Sequence, residues 1–124
     1  MPGGCITNAL IRCTRKDSEA TGLFELARPD LGLWVLELDF PPDGQQAEQL
    51  AGICRQLQAN SVRLQRLSEG SVDYTLHLTF DLLEHDPIVL TPSLIRLASE
   101  CGFNLELYAA RNDDGYQAVS GNRR

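Results

Sequence analysis

The chain has 124 residues, a length that fits one domain. It carries 17 acidic and 11 basic residues, and such an acidic chain with scattered Lys and Arg is a poor ligand for a phosphate backbone, so we expect no nucleic-acid partner. No segment approaches the ~20 consecutive apolar residues of a membrane-spanning helix, so no membrane association is expected either.

The first predicted element is the segment Cys5–Thr14, in which β-branched and apolar residues alternate with polar ones. This pattern predicts an N-terminal strand with Ala9, Ile11 and Cys13 on one face. The segment Arg15–Asp30 that follows is polar and rich in small residues, and it is predicted to be a connection.

Leu33–Phe40 alternates cleanly and predicts a second strand. Its apolar side begins with Trp34, which is expected in the core. The other side carries Val35, Glu37 and Asp39, and these should lie on the opposite face of the sheet.

Gln45–Ala59 repeats apolar residues at three- and four-residue steps, which predicts a helix with Asp43 as its N-cap. The predicted buried stripe consists of Ala47, Leu50, Ala51, Cys54 and Leu57. After Asn60, the short segment Ser61–Leu67 alternates again and is predicted to be a strand.

Val72–Leu82 alternates over its whole length and predicts the clearest strand of the chain. A second helix is marked by Thr91 as N-cap, Pro92 as first helical residue and Gly102 as C-terminal cap. Phe103–Ala109 predicts the last strand. Its inward residues should be Phe103, Leu105 and Leu107.

From Leu33 onward the predicted order is strand, helix, strand, strand, helix, strand. This order defines an α+β fold, a ferredoxin-like (ACT-like) βαββαβ sandwich with a mainly antiparallel sheet and two helices on one face. Residues 33–109 would form this core and residues 5–14 an extra strand before it. One domain over residues 1–110 and a flexible tail over residues 111–124 complete the prediction.

The segment Leu90–Tyr108 reads LTPSLIRLASECGFNLELY. It resembles the C-terminal signature of the bacterial domain-of-unknown-function family 4279, L-S-x-E-L-L-x-x-L-A-x-L-G-L-x-L-x-L-x-Y, and Gly32–Trp34 is similar to that family's tryptophan strand. The resemblance covers about residues 32–108 and departs at Arg15–Asp30, where the family usually has a longer helix. It implies a fold and no established activity.

The turn Asp39–Gly44, followed by a helix and then by Asn60-Ser-Val-Arg-Leu, resembles the opening of an ACT regulatory domain. In that family a D-x-P-G-L turn helps to hold an amino-acid ligand. The resemblance implies a small-molecule site at Asp39, Asp43 and Gly44. The sequence departs from the pattern at Gln45 and Gln46, where ACT domains have apolar residues.

The polar sides of the predicted strands share one open sheet face, to which we assign Val35, Glu37, His77, Glu106 and Tyr108. His77 beside Asp39 or Glu106 is a candidate general base or metal ligand. Sheets commonly expose one polar face to water, however, and this interpretation fits the residues without any chemistry. The sequence therefore predicts no catalytic residue and no metal.

The four cysteines form no C-x-x-C pair, and the residues before Cys5 lack the pattern of a secretory signal. We expect a cytoplasmic protein with free thiols and no cofactor; Cys13 should be half-exposed at the end of its strand. The leading hypothesis is a non-enzymatic module that contacts protein, including a second copy of itself, through the sheet. The alternative is an ACT-like sensor of small molecules, and an enzyme comes third.

Overall fold

The computed structural model describes residues 4–82 and 87–111, so residues 112–124 of the predicted tail lie outside the described residues. Arg111, where that tail was expected to begin, belongs to the last strand. The elements in chain order are β1 (Cys5–Thr14), β2 (Glu25–Arg28), β3 (Leu33–Glu37), α1 (Gln46–Ala59), α2 (Ser61–Ser68), β4 (Val72–Leu82), α3 (Pro92–Cys101) and β5 (Asn104–Arg111).

The strands form one five-stranded sheet in the order β2-β3-β1-β4-β5. The pairs β2–β3, β3–β1 and β1–β4 are antiparallel, whereas β4 and β5 run parallel on either side of the α3 crossover. The sheet is therefore mixed and mainly antiparallel, as predicted. The N-terminal strand, however, is the central strand and not an addition to a finished sheet, and β2 lies inside the predicted connection Arg15–Asp30.

The predicted strand Ser61–Leu67 is wrong, because this segment is helix α2. Val62 is 80% exposed while Leu64 and Leu67 are each 1% exposed. A strand would place Val62 and Leu64 on the same face, whereas a helix separates them and brings Leu64 and Leu67 together. With three helices and this strand order, the predicted βαββαβ topology is replaced by a different α+β arrangement.

Helices α1, α2 and α3 cover one face of the sheet. The inward side chains of the two central strands are Ile6, Ala9, Ile11 and Cys13 of β1 and Tyr74, Leu76, Leu78 and Phe80 of β4, and all are at most 4% exposed. They form one hydrophobic core with apolar residues of all three helices. Each such large side chain stabilises the fold by about 1.5–3 kcal/mol. Trp34 is 8% exposed, so its predicted burial is confirmed.

Helix α1 turns a different face to the core than predicted, because Gln49 is fully buried while Ala47 and Ala51 are exposed. The Ile6 N–H donates to Gln49 Oε1 at 2.6 Å, and Gln49 Nε2 donates to the carbonyls of Ile6 at 3.1 Å and Pro41 at 2.9 Å. Strand β3 does not pair with this part of β1. The amide of Gln49 therefore supplies the hydrogen bonds that a neighbouring strand would make.

The helix caps agree with the sequence at α3 and differ at α1. Thr91 Oγ1 accepts from Leu94 N at 3.3 Å, Pro92 opens the helix, and Gly102 closes it at φ +83°. The predicted N-cap Asp43 is wrong: α1 is capped by Gln45, whose N–H donates to Glu48 Oε1 at 3.0 Å. Two residues between Asp43 and the helix make its carboxylate too distant in sequence to serve as the cap.

Arg15 is a buried charge that joins β1 to the segment between α2 and β4. Its side chain donates to the Leu67 carbonyl at 2.6 Å and to Ser71 Oγ at 2.9 Å, and it pairs with Asp17 at 2.7 Å. Its backbone N–H donates to Gly32, where φ is +65° and an added Cβ would lie 2.6 Å from the Arg15 carbonyl oxygen. This close approach requires glycine at position 32.

Candidate functional site on the open sheet face

The open face is the side of the sheet opposite the three helices. Strand register brings Leu10 beside His77, His77 beside Glu106, and Thr79 beside Tyr108. Because directly paired residues point to the same side of a sheet, these side chains lie together on the open face. Of the predicted face residues, His77, Glu106 and Tyr108 are therefore brought into one cluster.

Four side chains of this cluster form a continuous chain of hydrogen bonds, which we call the face network: Arg12, Glu106, His77 and Thr79. Arg12 Nη1 donates to Glu106 Oε1 at 2.7 Å and Nη2 donates to Oε2 at 3.4 Å. His77 Nδ1 lies 3.0 Å from Glu106 Oε1, and His77 Nε2 lies 3.0 Å from Thr79 Oγ1. The network crosses three adjacent strands, β1, β4 and β5.

The carboxylate of Glu106 is the electrostatic centre of the face network. The hydrogen bond from Arg12 and, to a smaller extent, the one from His77 lower the pKa of Glu106 from 4.5 to about 2. The hydrogen bond to the same carboxylate raises the pKa of Arg12. Glu106 is therefore ionised at neutral pH and accepts hydrogen bonds only. Because this carboxylate can only accept, we assign the hydrogen of the 3.0 Å contact to Nδ1 of His77, which donates to Glu106 Oε1.

Tyr108 lies at the end of the cluster, with its ring centroid 4.8 Å from that of His77. Tyr108 is 54% exposed, whereas the side chain of His77 is only 16% exposed. Val35 is half-buried and pairs with Arg12 in register, and Glu37 is exposed beside Leu10. Val35 and Glu37 thus lie on the open face, as predicted, but no hydrogen bond joins Glu37 to the face network among the described residues.

Arg12 is the functional residue that the sequence reasoning did not select. The alternation of Cys5–Thr14 placed it on the face opposite Ala9 and Ile11, but this segment was predicted only as an extra strand before the core, and its pairing with the core sheet was left open. Only the central position of β1 brings Arg12 between Val35 and Thr75, within reach of Glu106. Asp39, the other predicted partner of His77, lies beyond the end of β3 and takes no part in the network.

The order hydroxyl, imidazole, carboxylate in Thr79, His77 and Glu106 is also that of a nucleophilic relay. Here, however, Arg12 binds the same carboxylate at 2.7 and 3.4 Å, so Glu106 is shared between Arg12 and His77. None of the described cavities is lined by a residue of the face network, although the cavity beside Leu26 is lined by Val35 and Glu37 of the open face. Among the described residues, no group of three or more His, Cys, Asp or Glu side chains is arranged to hold a metal ion.

The second predicted site, at Asp39, Asp43 and Gly44, is only partly assembled. A groove of about 450 Å³ is lined by Asp39, Phe40 and Arg55, while Asp43 and Gly44 are not part of its lining. The Asp39 N–H donates to Gln56 Oε1 at 2.9 Å, and Gln56 Nε2 donates back to the Asp39 carbonyl. The groove is thus held open by α1, and Asp39 and Arg55 give it residues of opposite charge.

The four cysteines are free. Cys13 is fully buried, so its predicted half-exposure is wrong; the β1 bulge near Thr14 does not lift it out of the core. Burial raises the pKa of the Cys13, Cys54 and Cys101 thiols. A raised pKa keeps a thiol protonated and unreactive, which is typical of packing residues.

Comparisons with protein-family models, curated proteins and solved structures gave no match. The resemblances to family 4279 and to ACT domains therefore stay predictions from the sequence. Within residues 4–82 and 87–111, no helix has both the length and the apolar composition needed to cross a membrane.

Proposed function

We propose that this protein is a non-enzymatic binding module that acts by contact with another protein, and that the open face is its contact surface. The observation that carries the proposal is the face network. It fixes charged, aromatic and hydroxyl side chains on a side of the sheet that the described helices do not cover.

The residue types on this face support a protein partner. Tyr and Arg are enriched at the centres of protein interfaces, because their large side chains combine apolar area with directional hydrogen bonds. Tyr108 is exposed, and Arg12 and Glu106 keep about a third of their side-chain surface exposed. Because Arg12 and Glu106 already hold each other's side chains in place, these two residues lose little conformational freedom when a partner binds.

An enzyme is less well supported by the same geometry. A catalytic site needs a pocket in which its reacting groups converge, and none of the described cavities is lined by a residue of the face network. We also propose a cytoplasmic location, which agrees with four cysteines that are free and that a reducing compartment would keep so.

The proposal is tested with Val35→Asp, which puts a charge on the open face in β3, far along the sheet from β5. Tagged wild type and variant are immobilised and exposed to extract of the native cells. We expect a partner retained by wild type to be lost at least about tenfold from Val35→Asp, because the new carboxylate lies opposite Arg12, competes with Glu106 for it and so changes the charge pattern of the contact surface.

The matched control is Val62→Asp, at a position on α2 that is 80% exposed and away from the open face. It should retain the partner like the wild type. Equal retention by all three proteins, or no protein retained by the folded wild type, contradicts the proposal.

The groove beside Asp39 favours a second candidate, the binding of a small zwitterion such as an amino acid. Asp39 and Arg55 offer opposite charges at one groove, which matches a ligand with an ammonium and a carboxylate group. A thermal-shift screen with amino acids and nucleotides tests this candidate. A saturable rise in Tm that disappears in Arg55→Ala, but persists in the exposed-arginine control Arg66→Ala, supports it; no rise with any compound refutes it.

A further inference from the structure

The two edges of the sheet are built differently. Edge strand β2 has four residues, its register with β3 shifts between Leu26 and Arg28, and an ion pair at 3.0 Å joins Arg28 to Asp30 across Pro29. Short length, irregular pairing, charge and proline are the features by which natural sheets block the addition of another strand. The β2 edge is therefore protected.

Edge strand β5 lacks the short length, the irregular pairing and the proline of β2. Its eight residues pair with β4 without a register shift, from Asn104 beside Thr75 to Arg111 beside Leu82. The strand contains two charged residues: Glu106, which pairs with Arg12, and Arg111, which is the last residue of the strand. A long and regular edge whose middle carries no unpaired charge is a template for main-chain pairing with another strand.

Apolar side chains are also exposed on β5 and on helix α3. Leu107 faces the helix side and is 38% exposed, because no strand lies beyond β5 in the described structure. Its predicted burial is thus incomplete. Ile95, on the helix α3 that packs against β5, is 52% exposed.

We propose that β5 pairs antiparallel with β5 of a second copy, about a two-fold axis at Leu107. This inference rests on the proposed protein-contact function and names the partner and the edge. The pairing places Leu107 opposite Leu107, Glu106 opposite Tyr108, and Leu105 opposite Ala109 of the second copy, so no like charges meet. An axis one residue earlier would set two Glu106 carboxylates against each other, which is unfavourable.

The test uses Leu107→Lys and Leu107→Glu, measured separately and mixed, by size-exclusion chromatography with light scattering. At about 50 μM, above the Kd of a micromolar dimer, the wild type should have twice the 13.7 kDa chain mass. Each variant alone should dissociate at least about tenfold more readily, because two like charges meet at the axis. The mixture should recover the dimer mass, because Lys then faces Glu.

Val62→Lys is the control for an added lysine and should stay dimeric, and thermal unfolding of each variant checks that it is folded. A monomeric wild type, a Leu107→Lys protein that stays dimeric, or a mixture that stays monomeric overturns the inference. These outcomes leave the proposed function to its own test, because Val35 lies on β3, on the other side of β1 and β4 from the β5 edge.

Discussion

The protein has two sets of polar side chains that hold its sheet, and they differ in what they bind. Gln49 is fully buried and bonds to main-chain groups of Ile6 and Pro41, and Arg15 is 6% exposed and bonds to the Leu67 carbonyl as well as to the side chains of Asp17 and Ser71. The face network is partly exposed, and its members bond to one another through their side chains.

We therefore expect Gln49 and Arg15 to stabilise the fold and the face network to contribute to binding. A main-chain group that loses a buried partner has no replacement, so the cost of removing Gln49 or Arg15 falls on the fold. Side chains of the face network are partly exposed, so water or a partner protein can replace a hydrogen bond that one of them loses, and its removal costs little stability. Three substitutions examine this contrast, and a result that reversed their order would contradict it.

The largest effect is expected from Gln49→Leu. Leucine is close to glutamine in size but leaves the N–H and carbonyl of Ile6 and the carbonyl of Pro41 without their bonds. We expect the free energy of unfolding to fall by about 3 kcal/mol, measured by urea denaturation. Gln58→Leu, at an exposed position of the same helix, should change it by less than about 0.5 kcal/mol.

A smaller loss is expected from Arg15→Lys. Lysine keeps the positive charge, but one ammonium group cannot reach Asp17, Leu67 and Ser71 together as the guanidinium does. The free energy of unfolding should fall by about 2 kcal/mol. The same exchange at Arg66, whose side chain is 68% exposed, should have almost no effect; equal losses at both positions would show that the fork geometry of Arg15 is unimportant.

The smallest change is expected from Glu106→Gln, and it should depend on pH. Because the folded-state pKa of Glu106 is lowered from 4.5 to about 2, its stabilisation is fully present above pH 4.5 and is lost as pH falls towards 2. We expect a difference of roughly 1 kcal/mol between wild type and variant near neutral pH, discounted for the exposure of Glu106. The two proteins should converge only as pH falls to about 2, where Glu106 of the folded wild type also becomes protonated.

The urea midpoints of wild type and Glu106→Gln, determined near neutral pH and near pH 2, measure this difference in stability. Glu100→Gln is the control, since the Glu100 carboxylate lies 3.9 Å from Arg96 on the exposed side of α3. A pH-independent difference at Glu106 would show that the carboxylate is not held as an anion by Arg12 and His77.

Much of the local structure was predictable, because it depends on near neighbours in the chain. The alternation of Val72–Leu82 and the signals Thr91, Pro92 and Gly102 each specify one element from within that element, and these predictions are confirmed. The prediction for Ser61–Leu67 was wrong because a segment of seven residues fits both the strand period and the helix period. Helix and strand are distinguished only by the core, in which Leu64 and Leu67 are buried while Val62 is exposed.

The candidate site was predictable in part for the same reason. Alternation placed His77, Glu106 and Tyr108 on one face, but it contains no information on which strands are neighbours. Because β1 lies between β3 and β4, Arg12 comes within hydrogen-bonding distance of Glu106. The burial of Gln49 could not be predicted either, because it depends on which part of β1 has no neighbouring strand. Long-range pairing decides both features, and it is not encoded locally.

The central position of β1 also has a consequence for folding kinetics. Its main partner, β4, lies most of the described chain away, with Ile6 beside Phe80 and Arg12 beside Thr75. Closing so long a loop costs entropy before any contact is gained, so we expect folding in milliseconds to seconds, slower than helical domains of this size. During synthesis, β1 leaves the ribosome before β4 exists, so the edge of β1 that pairs with β4 stays unpaired until the second half of the chain emerges.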